Sequence, residues 1–404
     1  MKLFFSVGEP SGDLHGANLI RALQQREPQW EFLGFGGPRM AAAGCRIEAD
    51  LTQLSVMWLS RVLANLKTFL NLLKQADRCF ETERPDAVVL IDYPGFNWWV
   101  ARRAKARGIP VIYYGAPQVW AWASHRVKKM RRLIDHVLCK LPFEEPWLRA
   151  RGCRATYVGH PYFDELRQRR IDAAFVASVR SGKGPLATIL PGSRTQEVES
   201  NGRWLLKAAA EIARQVKGCR FAVAAFNEPQ AETMRRLAAE ANMPATVYVG
   251  RTPELIHAAD CCLACSGSVS LELLYHAKPS VILYHVTRLG YFIQSMFRRV
   301  RYITLVNLLT ATDPFTGRPA GVYDPADPRD AHVLLPEYLT CGDKTAELAG
   351  HCVRWLTDDA ARQATVEGLT ELRRRVAQGG ASERAAEYIC RVLQRGAKAP
   401  SQAA

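Results

Sequence analysis

No uninterrupted apolar run in the sequence reaches the roughly 18–20 residues that a membrane-spanning helix needs. Its most apolar stretch, Ser55 to Leu73, is broken by two basic residues and two asparagines. The first apolar run, Met1 to Val7, stops at Gly8 and is too short for the core of a signal peptide, so it predicts a first strand. The sequence therefore does not predict a transmembrane or secreted protein.

The chain also lacks a regular cysteine framework. It has eleven cysteines, an odd number without repeated spacing, which favours reduced thiols in a cytosolic protein. Cys262 and Cys265 form a C-x-x-C spacing, but neither a second pair nor nearby histidines would complete four metal ligands, so a buried strand is the better interpretation. We expect no metal site.

Several motifs with a known chemistry are missing. The sequence contains no Walker motif, H-E-x-x-H, G-x-S-x-G or EF-hand loop, which weakens the NTPase, zincin, simple hydrolase and calcium-sensor hypotheses. Acidic residues are the minority charge, with 39 Asp and Glu against 54 Lys and Arg and a formal net charge of +15. This excess favours an anionic partner: a phosphorylated substrate, a nucleotide, nucleic acid or an acidic membrane surface.

Short apolar or β-branched runs alternate with helical patterns along the chain. Such alternation predicts α/β architecture with parallel sheets, and 404 residues exceed what one core usually organises. We predict domains at 1–165 and 166–380, separated near a basic stretch, and a terminal helix with a disordered tail at 381–404. The predicted strands are Leu3–Val7, Ala87–Ile91, Val111–Tyr114, Val137–Leu141, Ala187–Leu190, Phe221–Ala225, Thr246–Val249, Cys262–Ala264 and Ser280–Leu283.

Ligands of open parallel sheets bind beyond the carboxyl ends of the strands. In the first half, Glu9, Asp13 and His15 follow the first strand, and Asp92 follows another. These side chains could take a proton from a hydroxyl nucleophile. Glu9 and Asp13 could instead cap a helix, and His15 could be a partly buried helix residue. The residues alone leave the identity of a base open.

The second half contains two loops suited to an anion. Each follows a predicted strand and precedes a helix, where backbone donors and the helix dipole favour a phosphate. Arg194 adds a permanently charged fork to the first loop. Glu272, beyond the second, could hold ribose hydroxyls or simply stabilise the helix dipole. Two such loops in one domain predict a nucleoside diphosphate. The candidate residues are Gly192, Ser193, Arg194, Glu197, Ser266, Gly267, Ser268 and Glu272.

Apolar side chains form a third group of candidates. The stretch 56–73 is apolar over more than half of a helical wheel, so part of it is expected to contact something oily. Two tryptophans after Val111–Tyr114 could stack on a sugar ring, line an acyl channel or lie in the core. The candidates for acceptor, acyl-chain or membrane contact are Met57, Trp58, Val62, Leu66, Phe69, Trp120 and Trp122.

Together these loops resemble a known family, the lipid A disaccharide synthases, which are glycosyltransferases with two facing Rossmann-like domains in the GT-B arrangement. The resemblance extends from Val7 to about Glu337. It rests on nine motifs in order: Gly8–Asp13, Gly36–Met40 with Gly44 and Cys45, Ile91–Asn97, Pro117–Trp122, Leu141–Glu144, Val158–Pro161, Leu190–Arg194 with Glu197 and Val198, Ser266–Ser268 with Leu271 and Glu272, and Asn307–Leu309.

The resemblance implies transfer of 2,3-diacylglucosamine from UDP-2,3-diacylglucosamine to the 6-hydroxyl of 2,3-diacylglucosamine 1-phosphate. The products would be a β-1,6 disaccharide and UDP, formed with inversion and without a metal or other cofactor. Asp92 would be the leading base or acceptor-orienting carboxylate, beside Glu9, Asp13 and His15. The two anion loops would hold UDP, with Glu272 at the ribose, and Asn307 would join the acceptor side.

The family acts at the cytoplasmic face of the inner membrane, so the resemblance also implies a peripheral protein on an anionic membrane surface. A homodimer is a further option. Two features depart from the family pattern: Ser268 replaces an expected threonine, and the segment Thr310 to Asp330 looks inserted and reads as a long surface loop. The preferred acyl-chain length and hydroxylation stay open.

Three other functions fit parts of the sequence. A different GT-B glycosyltransferase or a UDP-sugar epimerase would turn over a water-soluble UDP-sugar without lipid. A nucleic-acid-binding protein would fit the charge, but the basic residues lack interleaved aromatics and a recognised module, so no nucleic-acid partner is expected. An inactive membrane-surface scaffold would bind lipid without releasing UDP.

Overall fold

The computed structural model describes residues 1–52, 66–315 and 321–398. The chain divides into two compact units, the first formed by Met1–Glu165 with Gln378–Ala404 and the second by Leu166–Ala377. The predicted domains 1–165 and 166–380 also divide after residue 165. The predicted terminal segment 381–404 lies in the first unit, which begins its second part at Gln378.

The first unit contains a sheet of seven parallel strands in the order β3-β2-β1-β4-β5-β6-β7. The central strands β1 and β4 are almost continuously apolar, because helices cover both faces of such a sheet. The strands are β1 (Lys2–Val7), β2 (Glu31–Gly36), β3 (Arg46–Asp50), β4 (Ala87–Ile91), β5 (Val111–Tyr114), β6 (His136–Cys139) and β7 (Ala155–Tyr157).

Helices follow most of these strands after very short connections. Pro10, Pro38 and Pro94 each occupy the first turn of a helix, where proline is favoured because its missing N–H needs no partner there. The helices are α1 (Pro10–Arg26), α2 (Pro38–Ala42), α3 (Leu66–Glu83), α4 (Pro94–Ala106), α5 (Val119–Trp122), α6 (Val127–Leu133), α7 (Glu144–Arg149) and α8 (Tyr162–Gln168), the last of which spans the boundary between the units.

The second unit has a six-stranded parallel sheet in the order β10-β9-β8-β11-β12-β13. Its strands are β8 (Leu186–Leu190), β9 (Arg220–Ala225), β10 (Thr246–Val249), β11 (Cys261–Cys265), β12 (Ser280–His285) and β13 (Glu337–Thr340). Its helices are α9 (Ala173–Arg180), α10 (Thr195–Gln215), α11 (Glu228–Glu240), α12 (Thr252–Ala258), α13 (Val269–Tyr275), α14 (Arg288–Phe297), α15 (Leu305–Thr310), α16 (Thr345–Thr357) and α17 (Asp359–Val376).

The last helix, α18 (Ala381–Lys398), belongs to the core of the first unit. Its apolar face packs on α1, with Ile389 and Leu393 in the same cluster as Leu19. Asp164 caps its start, because its carboxylate accepts the backbone N–H of Ala381 at 3.2 Å and of Ser382 at 3.0 Å. We predicted a disordered tail from Gly396, but the helix continues to Lys398. Residues 399–404 lie outside the described part of the chain.

The predicted surface loop Thr310 to Asp330 is described except for residues 316–320. It ends in a short 3₁₀ turn, Pro328–Asp330. Arg301 donates to Asp330 at 2.6 and 2.7 Å and to Asp327 at 2.9 Å. Asp330 is buried, so this ion-pair group fixes the end of the loop to the second unit.

Both sheets reverse their strand order beside a central strand, between β1 and β4 in the first unit and between β8 and β11 in the second. The crevice beyond the carboxyl ends of two such strands is where open α/β sheets bind ligands. Glu9 and Asp92 follow the first pair of strands. The two predicted anion loops follow the second pair.

Candidate functional site

Asp92 lies directly after β4 in a strained backbone conformation. Its φ is 46° and that of Tyr93 is 42°, a left-handed region that non-glycine residues rarely adopt. Two side chains secure the Asp92 carbonyl: the Asn97 amide donates to it at 2.8 Å and the Tyr113 hydroxyl at 2.5 Å. Strain held in this way concentrates at functional sites. The structure therefore presents Asp92 in one defined position at the rim of the sheet.

Lys140 is the charge partner of Asp92. Its Nζ lies 2.9 Å from Asp92 Oδ1, and the two side chains are only 16% and 21% exposed. Burial lowers the pKa of the Lys140 ammonium, but the Asp92 charge raises it, and the net pKa lies above its ordinary value. Lys140 was not among the predicted site residues, because the predicted strand Val137–Leu141 included it, whereas β6 ends at Cys139.

Glu9 lies at the same rim. The β1 and β4 loops touch there, since a Cβ on Gly8 would lie 2.3 Å from Cδ1 of the Tyr93 ring. Glu9 is exposed at the start of α1. Its charge is among those that raise the pKa of Tyr93, after burial, and the pKa of Lys140. The structure therefore brings Glu9, Asp92 and Lys140 into one electrostatic neighbourhood.

His15 is a neutral, buried imidazole beside this group. Burial lowers its pKa to about 4, although the Asp92 charge acts in the opposite direction. Within the described part of the chain, its Nδ1 has no hydrogen-bond partner. His160, after β7, also has a pKa well below its usual value, through burial and the nearby Lys140 and His15. The site thus carries two uncharged imidazoles near neutral pH.

Asp13 makes the helix-capping contacts that the sequence left open as the alternative to a catalytic role. It is buried, and its carboxylate accepts the backbone N–H groups of Gly37, Arg39 and Met40 at 2.9, 3.0 and 3.1 Å. These contacts cap the start of α2 and tie α1 to the Gly36–Met40 motif. The carboxylate is thereby engaged in holding two loops together rather than directed at a reacting group.

In the second unit, the loop Gly192–Arg194 joins β8 to α10. Gly192 has a φ of +122°, which favours glycine, and a Cβ there would lie 3.0 Å from Cβ of Glu197. Glu197 accepts from Nη1 of Arg194 at 3.1 Å and from its backbone N–H at 3.4 Å. The Arg194 side chain is 74% exposed. The loop therefore presents backbone and one guanidinium to solvent at the start of a long helix, an arrangement suited to a phosphate.

Two amides that the sequence analysis missed hold this loop. Gln230 donates to the carbonyl of Ser193 at 2.8 Å. The buried Asn201 donates to the carbonyl of Glu197 at 2.9 Å and to the sulfur of Cys265 at 3.4 Å, and it accepts the His285 N–H at 2.8 Å. Asn201 thus connects the ends of β11 and β12 to α10. The signal available in the sequence was a polar asparagine on the apolar face of a predicted helix.

The second anion loop, Ser266–Ser268, joins β11 to α13. Gly267 has a φ of +154°, and a Cβ there would meet nothing within 4 Å, so its backbone faces open space. Glu272 is buried one turn into α13 and accepts from Arg169 at 2.7 Å. Arg169 comes from the basic stretch near the domain boundary. The carboxylate of Glu272, which we predicted to bind the ribose, is therefore paired with Arg169.

Trp120 and Asn307, predicted to contact the acceptor or its acyl chains, lie inside the protein. Trp120 is buried, and its indole N–H donates to Glu144 at 2.9 Å. Asn307 is fully buried and bonds to the backbone of Leu335 and to Glu337. Their polar groups complete buried hydrogen-bond pairs. For Trp120 this is the core position that the sequence left open, and a contact with the acceptor or its acyl chains stays a prediction for both residues.

The other apolar candidates have mixed positions. Trp122 is 38% exposed. Phe69 is half-buried in α3, with its ring against Phe96 at 5.2 Å. Leu66 begins α3, but its side chain is not among those described. Met57, Trp58 and Val62 lie outside the described residues.

Two further findings concern metals and membranes. Among residues 1–52, 66–315 and 321–398, no group of three or more His, Cys, Asp or Glu could hold a metal ion. All eleven cysteines are free. None of the helices in the described ranges is long and apolar enough to cross a membrane.

Comparison with known proteins places the chain in a family. The family model for lipid-A-disaccharide synthetase matches residues 3–315. The lipid-A-disaccharide synthase of Myxococcus xanthus is 32% identical, over 98% of this chain and 98% of its own length. The solved structure of a UDP-GlcNAc 2-epimerase from Neisseria meningitidis covers 98% of this chain and 100% of its own, with 11% identity and a TM-score of 0.61.

The calicheamicin glycosyltransferase structure covers 98% of this chain and 99% of its own, with 15% identity and a TM-score of 0.56. Both structural likenesses concern the fold, which is that of GT-B glycosyltransferases and related epimerases. The sequence matches are more specific. The chain therefore belongs to the lipid-A-disaccharide synthetase family, and it is a glycosyltransferase that forms the lipid A disaccharide from a UDP-sugar donor and a lipid acceptor.

Proposed function

We propose that the protein transfers 2,3-diacylglucosamine from UDP-2,3-diacylglucosamine to the 6-hydroxyl of 2,3-diacylglucosamine 1-phosphate. We call the crevices where the strand order reverses, beside β1 and β4 and beside β8 and β11, the first and second switch points. The observation that carries this proposal is that the two switch points present different chemical groups. The first presents a fixed carboxylate, Asp92, paired with Lys140 at 2.9 Å. The second presents two glycine-containing loops with accessible backbone and Arg194. A proton acceptor and a diphosphate site are what glycosyl transfer from a nucleotide requires.

The proposed chemistry is a direct displacement. Asp92 takes the proton of the acceptor 6-hydroxyl as that oxygen attacks the anomeric carbon from the face opposite UDP. The bond from the anomeric carbon to the UDP oxygen breaks, and UDP leaves with the electron pair. Attack from the opposite face inverts the configuration and gives the β-1,6 linkage. Lys140 is a positioning residue here, because its ammonium holds the Asp92 carboxylate in place.

The remaining carboxylates and His15 have supporting roles in this proposal. Glu9 orients the acceptor in this proposal, and its exposure at the same rim supports that role. Asp13 fixes the α1–α2 connection through its three backbone contacts. His15 stays uncharged near neutral pH and can accept a hydrogen bond without adding positive charge beside Asp92.

The leaving group is stabilised by groups of the second unit. Backbone donors of Gly192, Ser193 and the Ser266–Ser268 loop, together with Arg194, compensate the charge that develops on the diphosphate. Glu197 orients Arg194 through the 3.1 Å contact. Glu272 accepts from the ribose hydroxyls while Arg169 neutralises it. These groups supply the charge stabilisation that a divalent cation gives in other enzymes, so we propose a reaction without metal or cofactor that EDTA leaves unchanged.

We further propose that the protein works peripherally at the cytoplasmic face of the inner membrane, an anionic surface. The net charge of +15 supports this location. So do two exposed apolar side chains: Leu70 within the 56–73 stretch, at 47% exposure, and Trp99, at 44%, whose ring lies 6.3 Å from that of Phe69 in the same stretch. A homodimer stays a prediction, which sedimentation equilibrium would measure.

The test incubates the purified protein with both substrates in detergent and follows the disaccharide by mass and UDP by chromatography. The proposal predicts disaccharide and UDP in equal amounts, with neither formed when the acceptor is omitted. UDP release without acceptor would instead indicate hydrolysis. Turnover of UDP-N-acetylglucosamine without lipid, or no product with several acyl lengths, would contradict the proposed substrates.

A further inference from the structure

The helix α14 of the second unit is unusual because none of its ten residues is buried. Five large apolar side chains stand out from it. The spacing of three and four residues between them places them on one face of the helix. They are Leu289 (69% exposed), Phe292 (60%), Ile293 (44%), Met296 (47%) and Phe297 (51%).

The other large exposed apolar side chains in the described part of the second unit are two, Phe226 after β9 and Val249 at the end of the edge strand β10. Single exposed apolar residues are common on protein surfaces, whereas a contiguous patch marks an interaction site. The apolar face of α14 therefore indicates an interaction site on this unit.

The charges around α14 indicate what that partner is. The 40 residues from Leu273 to Thr312 contain four arginines and no aspartate or glutamate. Two of these arginines are buried, Arg298 and Arg301, and Arg301 is paired with Asp327 and Asp330, so the basic groups left at the surface flank the helix. Arg288, at the start of α14, is exposed, and Arg299 follows its end. Tyr291, Phe292 and Phe297 add aromatic rings of the kind enriched at the membrane–water boundary. A short helix with an apolar face and basic ends matches a helix that lies in the surface of an anionic membrane.

The position of α14 connects this surface to the nucleotide loops. Thr287 caps the helix by accepting the N–H of Gly290 at 3.1 Å. Thr287 follows His285 by two residues, and the N–H of His285 is held by Asn201. Asn201 also holds Glu197 and Cys265, next to the two anion loops. The helix thus starts from the same rim that is proposed to bind the UDP part of the donor.

We propose that the apolar face of α14 inserts into the headgroup and upper acyl region of an anionic bilayer. This inference rests on the proposed function in one respect: the acylated substrates reside in that bilayer, so insertion of α14 would bring the nucleotide loops to them. The surface is separate from the 56–73 stretch, which belongs to the first unit.

Vesicle sedimentation without any substrate tests the proposal. Vesicles of phosphatidylethanolamine with about 30% phosphatidylglycerol are compared with vesicles of phosphatidylcholine. The double variant Phe292→Ser and Ile293→Ser should bind the anionic vesicles at least about tenfold more weakly, because two apolar side chains no longer enter the lipid. Val249→Ser, which removes an exposed apolar side chain at the far edge of the same sheet, should bind as the wild type does.

A second variant tests the electrostatic part without removing apolar area. Arg288→Glu should weaken binding to anionic vesicles by roughly threefold to tenfold, since one basic residue near the surface is replaced by an acidic one. It should leave binding to phosphatidylcholine unchanged, and added salt should reduce the difference between the proteins. UDP titration checks that each variant keeps a folded nucleotide site.

Unchanged vesicle binding of both variants would overturn the proposal. So would a wild-type dimer that the Phe292 and Ile293 changes dissociate without affecting vesicle binding, since a second copy would then be the partner. A raised KM for detergent-dispersed substrates with normal vesicle binding would assign the face to substrate acyl chains instead. Because sedimentation uses no substrate, its result stands even if the disaccharide assay fails, and that failure would remove only the proposed function.

Discussion

The two units place their candidate sites at equivalent points of similar sheets but build them from different chemical groups. At the first switch point the main group is the Asp92 side chain, which is paired with Lys140 while the buried Asn97 holds the Asp92 carbonyl. At the second the groups are mainly backbone at Gly192 and Gly267, with Arg194 extending into solvent. The difference teaches that one fold can supply a precisely held reacting group in one copy and an adaptable anion site in the other.

Replacing Asp92 by asparagine should break the first site most strongly. We expect turnover to fall by about 10²–10⁴-fold, the usual loss when a general base is removed, while the affinity for UDP stays as in the wild type. Steady-state kinetics and UDP titration measure the two quantities. Asp135→Asn is a matched control, because Asp135 also pairs with a lysine, Lys105 at 2.7 Å, but precedes β6 at the opposite end of the strands. If the Asp92→Asn protein turned over at the wild-type rate, Asp92 would not be the base.

Replacing Arg194 by alanine should damage the second site in the complementary way. We expect UDP affinity to fall by roughly tenfold to a hundredfold, as for the loss of a charge-assisted contact. Arg214→Ala is the control, since Arg214 lies in α10, the helix that Arg194 precedes, pairs with a glutamate three residues before it and is also 74% exposed. Calorimetric titration with UDP gives both affinities. Equal affinities for the two variants would refute the phosphate role of Arg194.

The buried His15 should make the first unit sensitive to acid. Its folded-state pKa of about 4 lies below the ordinary 6.5, so the unfolded state binds the proton more readily between these values. This contribution to stability is complete above about pH 6.5 and is lost as the pH falls towards 4. Of about 3 kcal/mol in full, about 2 kcal/mol should be lost between pH 7.5 and 5.

Urea unfolding of the wild type and of His15→Gln at these two pH values measures that contribution. The variant should lose about 2 kcal/mol less stability than the wild type on acidification. His125→Gln, at an exposed histidine, should behave as the wild type does. The same pH dependence in all three proteins would show that His15 does not remain neutral in the folded state.

Glu272→Gln should give the smallest effect and sharpen the description of the second site. An amide accepts more weakly than a carboxylate from the ribose hydroxyls, so UDP affinity should fall by about fivefold. The variant should also discriminate less between UDP and 2′-deoxy-UDP in competition binding. Glu254→Gln is the control, because Glu254 is likewise buried in the first turn of a short helix near an arginine. Full discrimination by the Glu272 variant would exclude its contact with the ribose.

Alternation of apolar runs was enough to predict the strands that are buried on both sides. Ala87–Ile91 and Val111–Tyr114 are of this kind and have the predicted bounds. The partly exposed edge strand Thr246–Val249 also has its predicted bounds. The missed strands have physical reasons for their weak signal. Glycine interrupts β2, charged residues occupy the edge strand β3, and β7 has only three residues. Their pairing depends on neighbours that are distant in sequence.

For the site, the sequence predicted the loops better than the tasks of individual residues. Position after a strand was sufficient to single out Asp92 and Arg194, whose roles stay predictions. It could not separate residues that face the crevice from those that hold motifs together. Asp13, Trp120 and Asn307 belong to the second kind, because each bonds to a motif remote in sequence. Only the folded chain shows those partners, and the same is true of Lys140 beside Asp92.

Titration of UDP into the Asp92→Asn and Arg194→Ala proteins tests the central claim, the division of tasks between the two units, most directly. The account predicts wild-type affinity for the Asp92 variant and an affinity at least about tenfold weaker for the Arg194 variant. Weakening of UDP binding by the Asp92 change to the same degree as by the Arg194 change would contradict it.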